Sequence, residues 1–318
     1  MRRMSGQGEF REDVEVHKGA DRLHSAQGGV HTDSPTMDTQ DRTDVYTRIT
    51  SEIIAAIEAG ADEWRMLWHH DGSSIAHPTN ISSGKAYCGV NTLALWISAQ
   101  AHGFRSDIWG TYRQWQALDA QVRKGERAST VVLWKEFAAR SDDDAVGDDE
   151  QPQRRRFARA FSVFNSSQVE GFTLPTTPIL PHSERIPHAE AFIGALGIPV
   201  SFGADAALYR IDLDHIFMPD FDVFCDAVAH VGTCVHEAAH ATGAEHRLDR
   251  DFTKRFTRQA LAVEELTAEL AAAYILADLG LAHHPRPDHA AYVASWLKVL
   301  KDDARAIFTA ASKAQAAD

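Results

Sequence analysis

The sequence predicts an α+β fold, a small aromatic-rich α+β N-terminal region followed by a mainly helical one. Three observations predict it. Helical apolar periodicity opens the organised part of the chain, short β runs and Gly-punctuated turns fill a tryptophan-rich middle, and alanine-rich helical sequence follows a proline cluster. With 318 residues, 44% hydrophobic and 24% charged, the chain has the length and apolar content for two domains and a sizeable core.

Residues 1–40 mix charges with Gly, Ser, Thr and His and carry almost no large apolar residues, which predicts a flexible tail. From Asp44 the stretch VYTRITSEIIAAIEAG places Val45, Ile49, Ile53, Ile54 and Ile57 on one helical face, with Gly60 as a stop. Between Trp64 and Trp134 lie six of the seven tryptophans and a second helix, NTLALWISAQAHG (91–103), closed by its own glycine. The runs TVVLW (130–134) and FARAFSVFN (157–165) read as strands of a hairpin, and the acidic segment 141–151 between them as its solvated loop. Four prolines in TLPTTPILPHSERIPH (173–188) mark a linker, placed at 176–188. The expected organisation is thus a tail (1–40), an N-terminal domain (41–175), the linker, and a C-terminal domain (189–318).

No window is long and apolar enough to span a membrane; even LTAELAAAYILADLGLA (266–282) contains Glu269 and Asp278. The N-terminus has arginines but no apolar segment behind them, so no secretory signal is read and a cytoplasmic protein is expected. Three cysteines with no CxxC pair exclude a disulfide framework and a cysteine zinc knuckle, so any metal must sit on His, Asp or Glu. The net charge of −13 excludes a chain that coats nucleic acid with its whole surface, but not one with a local basic face.

The stretch HEAAHATGAEH (236–246) carries the chemistry. Two histidines four apart on a helix share a face and can hold one ion, and the glutamate after the first is placed to work on the ion's water. His236 and His240 are therefore the candidate metal ligands and Glu237 the candidate general base. Continuing to His246, the spacing HExxHxxGxxH is that of the metzincins, which also need a methionine turn downstream. The last methionine, Met218, lies upstream, so that reading fails. The competing third ligand is a glutamate in AVEELTAELAAAYI (262–275): Glu265 as ligand, Glu269 behind it orienting a ligand histidine, and Glu264 as the second choice of ligand. The implied cofactor is Zn2+, with other divalent ions suited to the same donors.

The flanks HATGAEHRLDRDF (240–252) and VEELTAELAAAYI resemble the zincin-like metallopeptidase domain of ArdC-type antirestriction proteins, related to the N-terminal part of plasmid TraC primases. NISSGKAYCGVNTLALW, WGTYRQW, VRKGERASTVVLWK and FSVFNSSQVEGF resemble motifs of that family's N-terminal domain, and together the similarity runs in order from about Asp44 to Leu281. The resemblance implies a single-stranded-DNA-binding domain joined to a zincin-like metallopeptidase domain, carried on mobile elements and protecting incoming DNA from restriction. It also implies that the spacing of His246 is accidental, since a small polar residue is usual at that position.

Single-stranded nucleic acid is held by aromatic platforms and by cations that track phosphates. Between Asn80 and Ala138 seven Lys or Arg face four acids, a local excess of positive charge inside an acidic chain. Lys85, Arg113, Arg123, Lys124, Arg127 and Lys135 are the candidate phosphate contacts. Trp109 and Tyr112 are candidate stacking residues, although core packing is the ordinary fate of such aromatics. An extended peptide is expected to pair with an edge strand such as DHIFMP (214–219), with Tyr209 as an oxyanion partner. The expected partners are single-stranded DNA and a protein or peptide substrate. The rival readings are a non-enzymatic DNA shield with a structural or vestigial metal site, and a primase accessory protein.

Overall fold

A computed structural model describes residues 40–60, 76–138, 154–174, 181–250, 257–281 and 289–318. Residues 1–39 of the predicted tail and the acidic segment 141–151 lie outside the described residues. Residues 38–318 form one compact unit.

Helix α1 (Gln40–Gly60) starts four residues before the periodic stretch and turns Ile49, Ile53 and Ile57 fully inward, the i, i+4, i+8 face the sequence spells out. Burying three isoleucines contributes about 1.5–3 kcal/mol each. β1 (Thr79–Asn80) leads to α2 (Val90–His102), which ends where Gly103 enters the left-handed region and its N–H caps Ala99 and Gln100 carbonyls. β2 (Ile108–Gly110) precedes the short α3 (Tyr112–Gln116), whose first turn is closed by a reciprocal capping box between Thr111 and Gln114. After β3 (Gln121–Val122), strands β4 (Ser129–Ala138) and β5 (Arg154–Asn165) pair antiparallel over ten residues, as the hairpin reading expects. They complete a four-stranded sheet of order β1-β2-β5-β4, while β6 (Val169–Glu170) pairs with β3.

The predicted linker requires correction. Residues 175–180 lie outside the described set, but α4 (His182–Ala195) already contains Ser183 to His188 and runs through Pro187. Proline density reads as a break because proline lacks an N–H and crowds the preceding turn. Tertiary anchoring overrides that here: Ala189 is buried in the adjoining core, and Arg185 donates to the Gly280 carbonyl at 2.9 Å.

Strands β7 (Val200–Phe202), β8 (Leu208–Arg210) and β9 (His215–Met218) form a three-stranded sheet of order β7-β9-β8. β9 is therefore the central strand, parallel to β7 and antiparallel to β8, which corrects its expected place at an edge. Its alternation of half-buried His215 and Phe217 with buried Ile216 and Met218 fits a strand with one face on the core. One face of the sheet packs Tyr209, Ile216 and Met218 against α5 (Ala227–Ala241), which begins where the Asp226 carboxylate accepts from the Ala229 N–H.

Helix α6 (Arg258–Asp278) is the central strut. Ala268, Ala271, Ala272 and Ala273 are all fully buried, and these small side chains let neighbouring helices approach it closely. α7 (His289–Asp302) and α8 (Ala306–Ala317) complete the chain. One core cluster joins Ile49, Ile53 and Ile57 of α1, Val90 and Leu93 of α2 and Val132 of β4 to residues of α5, α6, α7 and α8. Gly89 stitches the same junction. Its N–H donates to Gln315 Oε1 at 3.0 Å and its carbonyl accepts from the Tyr274 hydroxyl at 3.0 Å, at a φ of 58° that other residues rarely adopt. Among the described residues, no helix is long and apolar enough to cross a membrane.

Candidate functional site

The C-terminal half of α5 presents His236, Glu237 and His240, all buried, to the N-terminal half of α6. The 3.6-residue period puts His236 and His240 one turn apart on one face, with ring centroids 4.8 Å apart. Glu265 of α6 meets both. One of its carboxylate oxygens lies 3.6 Å from Nε2 of His236 and the other 3.6 Å from Nε2 of His240. The donor atoms of these three residues fall within 4.8 Å of one another.

Each imidazole is backed by a further carboxylate. Nδ1 of His236 lies 3.3 Å from Oε2 of Glu269, and Nδ1 of His240 lies 3.2 Å from Oε1 of Glu264. A hydrogen-bonded partner of this kind, as Glu264 is to His240, fixes ring orientation and leaves the opposite nitrogen to face an ion. Glu264, the sequence's second choice of ligand, therefore sits behind His240 and not between the rings. It is further held by Arg250, whose Nη2 donates to Oε1 at 2.8 Å and whose Nε donates to Oε2 at 3.2 Å.

The electrostatics call for a cation. Burial works against a charged His240, but Glu264, Glu265 and Glu237 around it outweigh that and push its pKa up to about 9. Burial likewise works against a charged Glu265, yet the imidazoles of His236 and His240 hold its carboxyl well below the usual carboxylate range. Neither ring nitrogen of buried His236 makes a hydrogen bond of good geometry. Two imidazole nitrogens and a carboxylate around a shared point, with an unsatisfied buried nitrogen among them, fit a divalent ion of borderline softness.

Glu237 is oriented by backbone. Its Oε2 accepts from the Tyr209 N–H at 2.8 Å, so β8 turns that amide toward α5 and away from β9. The Tyr209 hydroxyl, expected to serve an oxyanion, instead donates to Asp214 Oδ1 at 2.8 Å. Asp214 also takes a bidentate pair from Arg247, at 2.7 and 2.9 Å. His246 stands apart from the cluster of His236, His240 and Glu265: it is exposed, and its Nε2 lies 3.2 Å from Asp214. Arg250 and the Tyr209 amide escaped the sequence reading. The first sits in a polar loop with nothing to mark it as buried, and the second is a backbone group that no residue type betrays.

The candidate DNA contacts scatter. Lys85, Arg113, Lys124 and Arg127 are exposed. Tyr112, Gln121, Arg123, Lys124 and Phe164 line one groove of about 580 Å3, with Glu170 at its wall. Arg123 is partly committed there, bonding Glu126 Oε1 and the Ser167 carbonyl, each at 2.7 Å. Trp109 is 1% exposed and packed with Leu95, Val131 and Val163, so it is a core residue and has no face to offer a base. Lys135 lies on β4, but its side chain falls outside the described residues.

Residues 43–164 match the family model described as the N-terminal domain of anti-restriction factor ArdC, and residues 187–313 that described as zincin-like metallopeptidase. The chain is 56% identical over 278 residues to the uncharacterised protein y4eC of Sinorhizobium fredii (strain NBRC 101917 / NGR234), covering 87% of this chain and 91% of that one. It is 34% identical over 288 residues to DNA primase TraC of Escherichia coli, covering 85% of this chain and spanning about a quarter (26%) of the primase. Crystal structures of the antirestriction protein ArdC from plasmid R388, metal-free and Mn(II)-bound, superpose with TM-scores of 0.71 and 0.70 at 37% identity, over 86% of this chain and 96% of that one. The α+β fold with its zincin-like half, the paired family matches and the near-complete overlap with R388 ArdC together make this chain a member of the ArdC-type antirestriction family.

Proposed function

We propose that the chain is an antirestriction protein of a mobile element, acting in the cytoplasm, that binds single-stranded DNA through residues 41–175 and carries a zinc-dependent peptidase site in residues 189–318. The observation that carries the peptidase half is the symmetric placement of Glu265 between two Nε2 atoms whose rings are each backed by a carboxylate. The Mn(II)-bound form of R388 ArdC supports a divalent ion as the cofactor. His236, His240 and Glu265 would hold it, and when bound it supplies Lewis acidity and a water acidic enough to attack near neutral pH.

Glu237 then serves as proton acceptor. With Oε2 fixed by the Tyr209 N–H, Oε1 takes the proton of the attacking water and returns it to the leaving amine. An extended peptide would pair with the outer edge of β8, where the Tyr209 N–H already points away from the sheet toward Glu237. On the DNA half, the groove beside Tyr112, Arg123 and Lys124 combines an exposed ring with cations, as sequence-tolerant binding of single strands requires.

Metal analysis after equilibrium dialysis, on the intact protein and on His236→Ala and Glu265→Ala, tests the first half. One ion per chain in the parent and a large loss in both variants is expected; retention in the variants overturns the ligand set. Transfer of DNA into a restricting host, with Glu237→Gln, tests whether hydrolysis matters to protection. Undiminished protection would assign it wholly to DNA binding and make the metal site structural.

A further inference from the structure

Arg250 stands in the loop that follows the metal helix, 7% exposed, with every arm of its guanidinium engaged. Nη1 donates to Thr242 Oγ1 at 2.6 Å and Nη2 to the Ala239 carbonyl at 2.7 Å, both at the C-terminal turn of α5. Nε and Nη2 grip the two oxygens of Glu264 on α6. Glu264 Oε1 in turn lies 3.2 Å from Nδ1 of His240, whose Nε2 faces Glu265. The loop therefore returns to bind the end of α5 and the carboxylate behind His240 with one side chain, and its backbone N–H is fixed by the Gly243 carbonyl at 3.0 Å.

We infer that Arg250 is a positioning residue for the metal site, acting on the ion through Glu264 and His240 and not by contact with it. This deepens the metal-site reading proposed above and rests on it. The physical reason is geometric. A carboxylate with a single imidazole contact is free to rotate about its last torsion, and the ring it orients follows. A planar fork that meets both oxygens removes that freedom, which an ammonium with one point of contact does not. The carboxylate is also nearly fully buried, and an unpaired charge there is costly, so loss of the guanidinium would drive Glu264 to a new arrangement.

The test is Zn(II) and Mn(II) affinity of the full chain by competition with a chromophoric chelator, for the parent, Arg250→Met, Glu264→Gln and the double variant. Circular dichroism verifies folding, and Arg258→Met, at an exposed site on α6, serves as control. Removing a partner of this kind lowers metal affinity roughly tenfold or more, so Arg250→Met is expected to bind at least about tenfold more weakly. In the Glu264→Gln background the same change is expected to cost less than about twofold, because the path to His240 runs through the charge at 264. Equal losses in both backgrounds would show a general structural role and overturn the inference, as would unchanged affinity in Arg250→Met. Should Arg250→Met fail to fold, Arg250→Lys replaces it, with the same expectation. No metal uptake by the parent would overturn the metal-site reading itself, an outcome separate from both.

Discussion

The backbone N–H of Tyr209 holds Oε2 of Glu237 at 2.8 Å, across 28 residues of chain. β8 and α5 are thereby locked together beside Oε1, the oxygen proposed above to take up the proton. Glu237→Gln keeps the shape and the accepting oxygen but cannot take a proton. Hydrolysis of a peptide library is expected to fall about 100-fold or more, with metal content unchanged. Parallel loss of metal would mean that Gln at 237 disturbs the ligands and that the base role had not been isolated.

Asp214 is the anchor at the other end of Tyr209. Its carboxyl is lowered to about 2, chiefly by hydrogen bonding to Arg247, against the opposing effect of burial, with the Tyr209 hydroxyl and His246 also lowering it. A depressed carboxyl stabilises the fold above its unfolded pKa of about 3.9, and that contribution disappears as pH falls toward 2. The difference in melting temperature between the parent and Asp214→Asn should therefore be constant from pH 7 to about pH 4.5 and shrink below it. A difference that held at pH 2.5 would count against the ion pair.

Ile53 lies at the centre of α1's buried face, at 0% exposure. Ile53→Ala should lower unfolding stability by about 2–5 kcal/mol, measured by urea denaturation. Because that face packs against α6, α7 and α8, a fragment of residues 41–175 is expected to lack a cooperative unfolding transition. A sharp transition in the fragment would show that the N-terminal half has sufficient core of its own.

DNA binding separates surface cations from core rings. Lys124→Ala should weaken single-strand binding and reduce the slope of log affinity against log salt by about 0.7. Trp109→Ala, by contrast, should cost about 3–5 kcal/mol of stability and leave the salt slope of the folded fraction as it was. An unchanged slope in Lys124→Ala would remove that lysine from the phosphate path.

Much of this was legible in the sequence because it is local. The isoleucines of α1, the glycine stop of α2, the β4–β5 hairpin and the pair His236–His240 all follow from a period of 3.6 or 2. Choosing among Glu264, Glu265 and Glu269 was harder, since three nearby acids on one helix differ only in what lies opposite each. β9 was misplaced for a related reason. Strand character is written in a strand's own residues, but its rank in a sheet depends on β7 and β8 arriving from elsewhere. The helix through Pro187 shows the same limit, with local chemistry overruled by distant packing.

The Gly89–Tyr274 hydrogen bond has an evolutionary consequence. Tyr274 stands on the helix that supplies Glu265, and Gly89 starts a helix of the opposite half, so α6 is also the other half's floor. Recombination that cut the chain between these residues would strand an apolar face on each product. Inheritance should then move both halves as a single cassette. The similarity to the TraC primase, which covers 85% of this chain, has the dimensions of that cassette.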